Sequence, residues 1–202
     1  MSAQVKEKVD MDPKYLIKLT VTLLVTCIIV AGLLGLVNSV TKGPIEQINL
    51  EKTNAALSSV FQSASAPEFP KMELTDDMKG AVAATGATLK EVYEAKDGGA
   101  LIGHAFKVVA SGSQGNIEMV VGVDAEGAVT GVSIVNHSET SGIGTKVMDN
   151  ENGVLDQFAG KNAADGQLEV GANVDAISGA TVSSRGVTTG VNGALAAAGQ
   201  IG

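Results

Sequence analysis

The sequence predicts an α+β fold: an N-terminal transmembrane helix followed by one outer domain in which an antiparallel sheet packs with helices. Three observations lead there. An uncharged apolar run extends from Leu19 to Val37, four runs rich in branched residues follow in the middle of the chain, and the C-terminal stretch repeats apolar residues at spacings of three and four. At 202 residues the chain is long enough for an anchor and one outer domain with its own core, and too short for two large domains.

As a helix the first run is about 28 Å long at about 1.5 Å per residue, close to the roughly 30 Å of a bilayer's hydrocarbon core. A cleaved signal peptide is the rival, but its apolar part is about 7–15 residues long and ends at an Ala-x-Ala-like site. Asn38-Ser39-Val40-Thr41-Lys42-Gly43 supplies no such site, so an uncleaved anchor is expected. Lys6, Lys8, Lys14 and Lys18 precede the run, and only Lys42 and Lys52 follow it closely. The positive-inside rule then puts the N-terminus in the cytoplasm and the outer domain on the extracytoplasmic side of the cell membrane. Through Lys42 the five Lys stand against Glu7, Asp10 and Asp12, a net of +2. Since the whole chain carries −8, the remainder carries −10. That sign excludes a basic nucleic-acid surface.

Cys27, the only cysteine, falls inside the apolar run, so no intrachain disulfide forms and no outer thiolate holds an iron–sulfur cluster or haem. His104 and His137 are the only histidines and have no evident partners for a zinc site. No metal ligand is assigned.

After Gly43-Pro44 the spacing of Ile45, Ile48, Ala55, Ala56, Val60 and Phe61 predicts a second helix, with Pro44 at an early position after a break. Gln62 to Pro70 reads as a loop and Leu74 to Thr85 as a short polar helix. The strand runs are Leu89–Ala95, Leu101–Ala110, Ile117–Val123 and Val129–Asn136. Asp97-Gly98-Gly99, Ser111-Gly112-Ser113 and Asp124-Ala125-Glu126-Gly127 separate them, short turns that imply an antiparallel meander. Val147, Val154, Leu155 and Phe158 are expected to face a core, and Val187, Val191, Leu195 and Ala198 to lie on a closing helix that begins near Thr181. The expected layout is a cytoplasmic segment 1–18, an anchor 19–40, a helical connector 41–88 and a binding domain 89–202.

Chemistry concentrates in Asp175-Ala176-Ile177-Ser178-Gly179-Ala180-Thr181-Val182-Ser183-Ser184-Arg185, a turn with small residues and hydroxyls that opens the last helix. Free amides and the positive end of a helix dipole favour a phosphate there, and Gly179 lets backbone approach it. Ser183 and Ser184 can donate hydrogen bonds, and Arg185 can neutralise charge. A plain cap by Ser178 or Thr181 explains a hydroxyl at this place equally well. The Gly-Lys-Ser/Thr of a Walker loop and the Gly-x-Ser-x-Gly of a nucleophile elbow are both missing.

Ser178-Gly179-Ala180-Thr181-Val182-Ser183-Ser184 resembles the Ser-Gly-Ala-Thr-x-Ser/Thr-Ser string of the FMN-binding domain family. His137-Ser138-Glu139-Thr140-Ser141-Gly142-Ile143-Gly144 resembles that family's His-x-Glu-Thr-Pro-Gly-Leu-Gly loop, with Ser141 for its Pro and Ile143 for its Leu. Gly122-Val123-Asp124 with Gly127, then Gly131-Val132, is similar to the strand pair that leads to the loop. The resemblance implies FMN held covalently through its phosphate on Thr181, with Ser178, Gly179, Ala180, Ser183, Ser184, Glu139 and Thr140 around it. It also implies a flavin transferase that uses FAD and magnesium during maturation, and a place among other subunits of a membrane redox complex that moves ions. The family's aromatic residue near Asn116 has no counterpart in Ser113-Gln114-Gly115. No catalytic residue is assigned: the sequence places no carboxylate partner beside His137, which reads as a packing or hydrogen-bonding residue, and a flavin itself would carry the electron chemistry. The alternatives are the flavin-bearing subunit of a sodium-pumping NADH:quinone reductase, which shares both motifs, a reversible flavin- or phosphate-binding sensor, and a pilin-like structural protein.

Overall fold

The computed structural model describes residues 13–201. Lys6, Lys8, Glu7, Asp10 and Asp12, on which part of the orientation reading rests, lie outside the described residues. Contacts divide the chain into two compact units, one through Ile48 and one from Asn49 to the C-terminus.

Helix α1 spans Pro13–Val60. Its apolar run is one helix long and apolar enough to cross a membrane, and Leu23, Leu33, Leu34 and Leu36 along it are exposed. Thr20, Thr22 and Thr26 donate to the carbonyls of Leu16, Lys18 and Thr22, so these hydroxyls within the span keep an acceptor on their own helix. The expected break at Gly43-Pro44 is absent, because Pro44 lies inside the helix. A proline deprives the ladder of one amide and crowds the carbonyl four residues back, but the turns on either side keep their own bonds.

In the second unit, strands β3 (Thr88–Asp97), β4 (Ala100–Ser111), β5 (Asn116–Asp124) and β6 (Val129–Asn136) form the expected meander, all antiparallel. Two short strands lie in and just beyond the stretch expected as loop, β1 (Pro67–Glu68) and β2 (Lys71–Met72), and both pair with β3. Helix α2 (Asp76–Ala84) starts where Thr75 Oγ1 accepts from the Met78 amide. Beyond β6 come α3 (Thr145–Met148), a series of 3₁₀ turns, and α4 (Thr181–Ala198).

Both faces of the sheet are covered. Against one face, α2 and α4 enclose Val82, Phe106, Val108, Met119, Val187 and Val191. Val147, Leu155 and Phe158, expected in a core, are buried in the same cluster. Against the other face, Ala56, Leu57, Val60 and Phe61 at the end of α1 pack on Ala95, Ala105, Val120 and Val135. Close approach on that side needs the glycine pair Gly122↔Gly131. A Cβ at Gly122 would meet Thr130 Oγ1, Val60 and Phe61, and one at Gly131 would touch Val60. Lys107 adds a polar tie, donating to Thr53 Oγ1 at 3.1 Å and pairing with Glu118 at 3.0 Å and Glu91 at 3.8 Å.

Burial alone would push the Glu91 carboxyl up, but hydrogen bonds from Lys71 and Tyr93 and the charges of Lys107 and Lys71 outweigh it and hold Glu91 below its ordinary range. A group depressed on folding stabilises fully above its unfolded pKa, about 4.3 for Glu, and that stability is lost as pH falls through the folded value. Thermal melts of the solubilised chain should therefore be flat from neutral pH to about 5 and decline below about 4, with a shallower decline in Glu91→Gln. Two helix glycines should respond oppositely to alanine. Gly80 has nothing within 4 Å of a Cβ, so Gly80→Ala should stabilise by about 1 kcal/mol through helix propensity. At Gly186 a Cβ would lie 2.6 Å from the Ser111 carbonyl. Backbone cannot swing aside, so Gly186→Ala should destabilise by about 1–3 kcal/mol.

Candidate functional site

The turn before α4 is built to present a bare helix start. The Ala180 amide donates to Ile177 O at 2.9 Å, and Gly179 at φ +83° supplies the left-handed residue that this tight reversal requires. Ser184 is buried beneath the turn, donating to Ala180 O at 3.1 Å and accepting from the Ile177 amide at 3.4 Å. Ala180 is the N-cap, and no side chain caps the helix. Neither Ser178 nor Thr181 performs the capping role that was the plain alternative for these hydroxyls. Thr181, Val182 and Ser183 begin the helix, where amides have no intrahelical acceptor.

Gly179, Ala180, Thr181, Val182 and Ser183 form one wall of a cavity of about 170 Å³. Ser113, Glu139, Thr140, Ile143 and Gly144 form the other. Two motifs far apart in sequence thus meet across one small space, with the Thr181 side of it open to solvent.

Glu139 joins the walls. Its Oε1 accepts from the amides of Ser113 at 2.7 Å and Gln114 at 3.2 Å, and its Oε2 accepts from Ser183 Oγ at 2.5 Å. The residue is 8% exposed, yet both carboxylate oxygens are paired. Glycine is required beside it, since a Cβ on Gly112 would collide with Oε1 and one on Gly144 with Oε2. His137 supports the approach to this residue, with Nδ1 accepting from the Glu139 amide at 3.2 Å.

Thr140 opens the loop with its carbonyl, which accepts from the amides of Ile143 and Thr145 at 3.3 Å each. Thr145 Oγ1 accepts from the Gly142 amide at 2.9 Å. That bond fixes the loop at a place where Ser141, unlike a proline, leaves φ free.

Glu139, Thr140, Gly179, Ala180, Thr181 and Ser183 are brought together. Ser184 is directed into the packed turn rather than into the cavity, and Ser178 faces a separate groove of about 450 Å³ shared with Lys146, Val154, Asp175 and Ile177. Arg185 borders another groove, beside Gln167, Glu169 and Thr188, so charge neutralisation by Arg185 finds no support. No lining residue of the Thr181 cavity carries a positive charge. An anion here would be met by amides and the helix dipole. Sequence reasoning missed the amides of Ser113 and Gln114. Their signal is Gly112, which reads as a hairpin turn until Glu139 is placed against it.

The residues fit a phosphate ester: an exposed hydroxyl on the first helical turn, uncapped amides beside it, and a fixed opposite wall. Residues 112–196 match the model of the FMN-binding domain. The chain is 34% identical over 94% of its length, and 94% of the relative's, to the G subunit of the Na(+)-translocating ferredoxin:NAD(+) oxidoreductase complex of Acetobacterium woodii. It is 29% identical over 91% of its length, and 95% of the relative's, to the G subunit of the ion-translocating oxidoreductase complex of Methanosarcina acetivorans. Among solved structures, NqrC of Shewanella oneidensis aligns over 65% of each chain at 24% identity with a TM-score of 0.43. Near-full coverage by relatives of one kind, together with the FMN-binding match across the cavity's two walls, is decisive: the chain belongs to the G subunit family of ion-translocating oxidoreductase complexes.

Proposed function

We propose that this chain carries FMN as a phosphoester on Thr181 and relays electrons within a membrane complex that couples ferredoxin:NAD oxidoreduction to ion movement. One observation carries the proposal: residues of Glu139–Gly144 and of Gly179–Ser183, from two motifs remote in sequence, line a single cavity beside an exposed, non-capping Thr181. Bound flavin would supply the electron chemistry, leaving position and electrostatics to the protein. The Thr181 amide and its neighbours would hold the phosphate, while Glu139 keeps the Ser113–Gln114 turn fastened to Ser183. Glu139 is therefore assigned a positioning role, its oxygens being engaged with protein donors.

Attachment from FAD balances simply. A bond forms between Thr181 Oγ1 and the flavin-side phosphorus, the pyrophosphate link to AMP breaks, and the hydroxyl proton leaves with AMP. A flavin transferase with magnesium performs this during maturation. Covalency suits an extracytoplasmic domain. A reversible site of nanomolar affinity, about −12 kcal/mol, loses its cofactor with nothing to refill it. The layout that accompanies this reading keeps residues 1–18 in the cytoplasm, 19–40 in the membrane, 41–88 as connector and 89–202 as the flavin domain. The chain acts as a carrier among other subunits and does not turn over substrate alone.

Co-expressed with a flavin transferase, the wild-type chain should gain the mass of FMN less water and fluoresce after denaturation. Thr181→Val should show the bare polypeptide mass, and Thr181→Ser should retain part of the increment. Flavin retained by the valine variant defeats the assignment. Glu139→Ala leaves three donors without their acceptor and should lower stability by about 2–3 kcal/mol, with a several-fold drop in flavinylated fraction. Glu139→Gln keeps an acceptor for the amides and a group facing Ser183, and should behave close to wild type in both measurements.

A further inference from the structure

We propose that His137 is a proton-sensitive positioning residue: its neutral ring pins the Glu139 amide, and uptake of a proton loosens the wall that faces Thr181. As regulation of the flavin site this rests on the reading that Thr181 bears FMN, whereas the hydrogen bond itself does not depend on that reading.

His137 is the first residue beyond β6. Its Nδ1 accepts from the Glu139 amide at 3.2 Å. A nitrogen that accepts carries a lone pair and no proton, so the neutral ring has its proton on Nε2. An imidazolium carries N–H on both nitrogens and accepts nothing, so protonation removes this bond outright.

A side chain that accepts from the amide two residues on is the device by which Asn and Asp close turns. Their oxygens remain acceptors at every pH near neutrality. Histidine in the same role loses its acceptor somewhere between about pH 8 and 5, the range over which histidines titrate. The turn therefore holds at neutral pH and lets go on acidification.

The consequence reaches the site through Glu139. The carboxylate of that residue joins the two walls, accepting from the amides of Ser113 and Gln114 and from Ser183 Oγ, and the next residue, Thr140, lines the Thr181 cavity. The bonds from the Ile143 and Thr145 amides to Thr140 O, and from the Gly142 amide to Thr145 Oγ1, are internal to the loop. They give the loop its shape, while the His137 bond sets where it leaves β6. Once that bond is lost, the carboxylate must hold both walls from an untethered backbone.

Solvent reaches the ring, which is half-buried and borders two open clefts of about 460 and 580 Å³. Lys90 of β3 and Glu118 of β5 face it across the first, and Lys52 of α1 and Asp149 just beyond α3 across the second. Each cleft thus contributes one cation and one carboxylate, and Glu118 is engaged by Lys107 at 3.0 Å. The other histidine, His104, pairs across the sheet with Glu94 and lines neither cleft.

The test uses the full chain in detergent and reads amide hydrogen exchange of Glu139, referred at each pH to an unstructured peptide of the same sequence. Measurements at about pH 7.5 and about pH 5.5 bracket the histidine range while staying above that of ordinary carboxylates. Wild-type protection should fall by about threefold to tenfold on acidification, the worth of one neutral hydrogen bond. His137→Asn keeps an acceptor that does not titrate and should hold the neutral-pH protection at both values. His137→Leu should be as poorly protected at both as the acidified wild type. Initial rates of FMN attachment by a flavin transferase, taken as the ratio of wild type to His137→Asn so that the transferase's own pH dependence cancels, should fall by about threefold over the same interval. Wild-type protection that is equal at the two pH values, an Asn variant that falls with the wild type, a Leu variant protected like neutral wild type, or a constant rate ratio overturns this inference alone. A wild-type chain that stays at bare mass overturns the Thr181 reading, and the exchange measurement then decides the role of His137 by itself.

Discussion

A buried carboxylate holds the site together. Glu139 follows β6, accepts from two amides in the β4–β5 turn and from a hydroxyl on the first turn of α4, so three segments remote in sequence meet on one side chain. Burying an ion is costly unless its lone pairs are paired, and here the pairing and the position are the same fact. Gly112 and Gly144 are part of it, since any side chain at either would occupy the carboxylate's own space. The tie is directional, so it sets the spacing of the wall bearing Thr140 and the wall bearing Thr181 in a way that non-directional apolar packing cannot.

Around that tie the sheet supplies rigidity by being covered on both faces. Middle strand β5 is buried almost throughout, unlike the alternating pattern of a sheet with one solvated face. The sequence showed this as near-continuous apolar texture from Ile117 to Val123. It did not show which element would cover the second face. The cover is the end of α1, and its fit depends on the Gly122↔Gly131 pair opposite Val60, a relation between residues about sixty positions apart in the chain that no local pattern encodes.

The same distinction separates what was legible elsewhere. The four long strands, α2 and α4 follow from local alternation, turn residues and spacing, and they stand where expected. Thr181 with Gly179 and Ala180, and the Glu139–Thr140 pair, were legible because each motif is contiguous. Pro44 departs from expectation because its local preference is to open a helix, whereas here the flanking residues continue α1 through it. Strands β1 and β2 were unreadable because two residues carry no period; their existence is set by β3, which pairs with both. Proximity in sequence associates Arg185 and Ser184 with the proposed phosphate site, but the turn sends Ser184 inward and Arg185 to a different groove.

Helix α4 also breaks a local rule where the site needs it broken. Ser, Thr, Asp or Asn at the N-cap would contribute about 1 kcal/mol by satisfying a first-turn amide, and hydroxyls stand on both sides of the cap position at Ser178 and Thr181. The cap is nonetheless Ala180, buried and without a donor or acceptor on its side chain. Capping by a side chain would consume first-turn amides, so the missing stabilisation leaves them free for the phosphate of the proposed attachment. Ser184 recovers part of it from below the turn, and Glu139 fastens Ser183, two residues beyond Thr181. Departures from local optimality of this kind concentrate at functional sites. This one accounts for three features together: an apolar cap, an exposed threonine immediately after it, and a neighbouring serine held by a buried carboxylate.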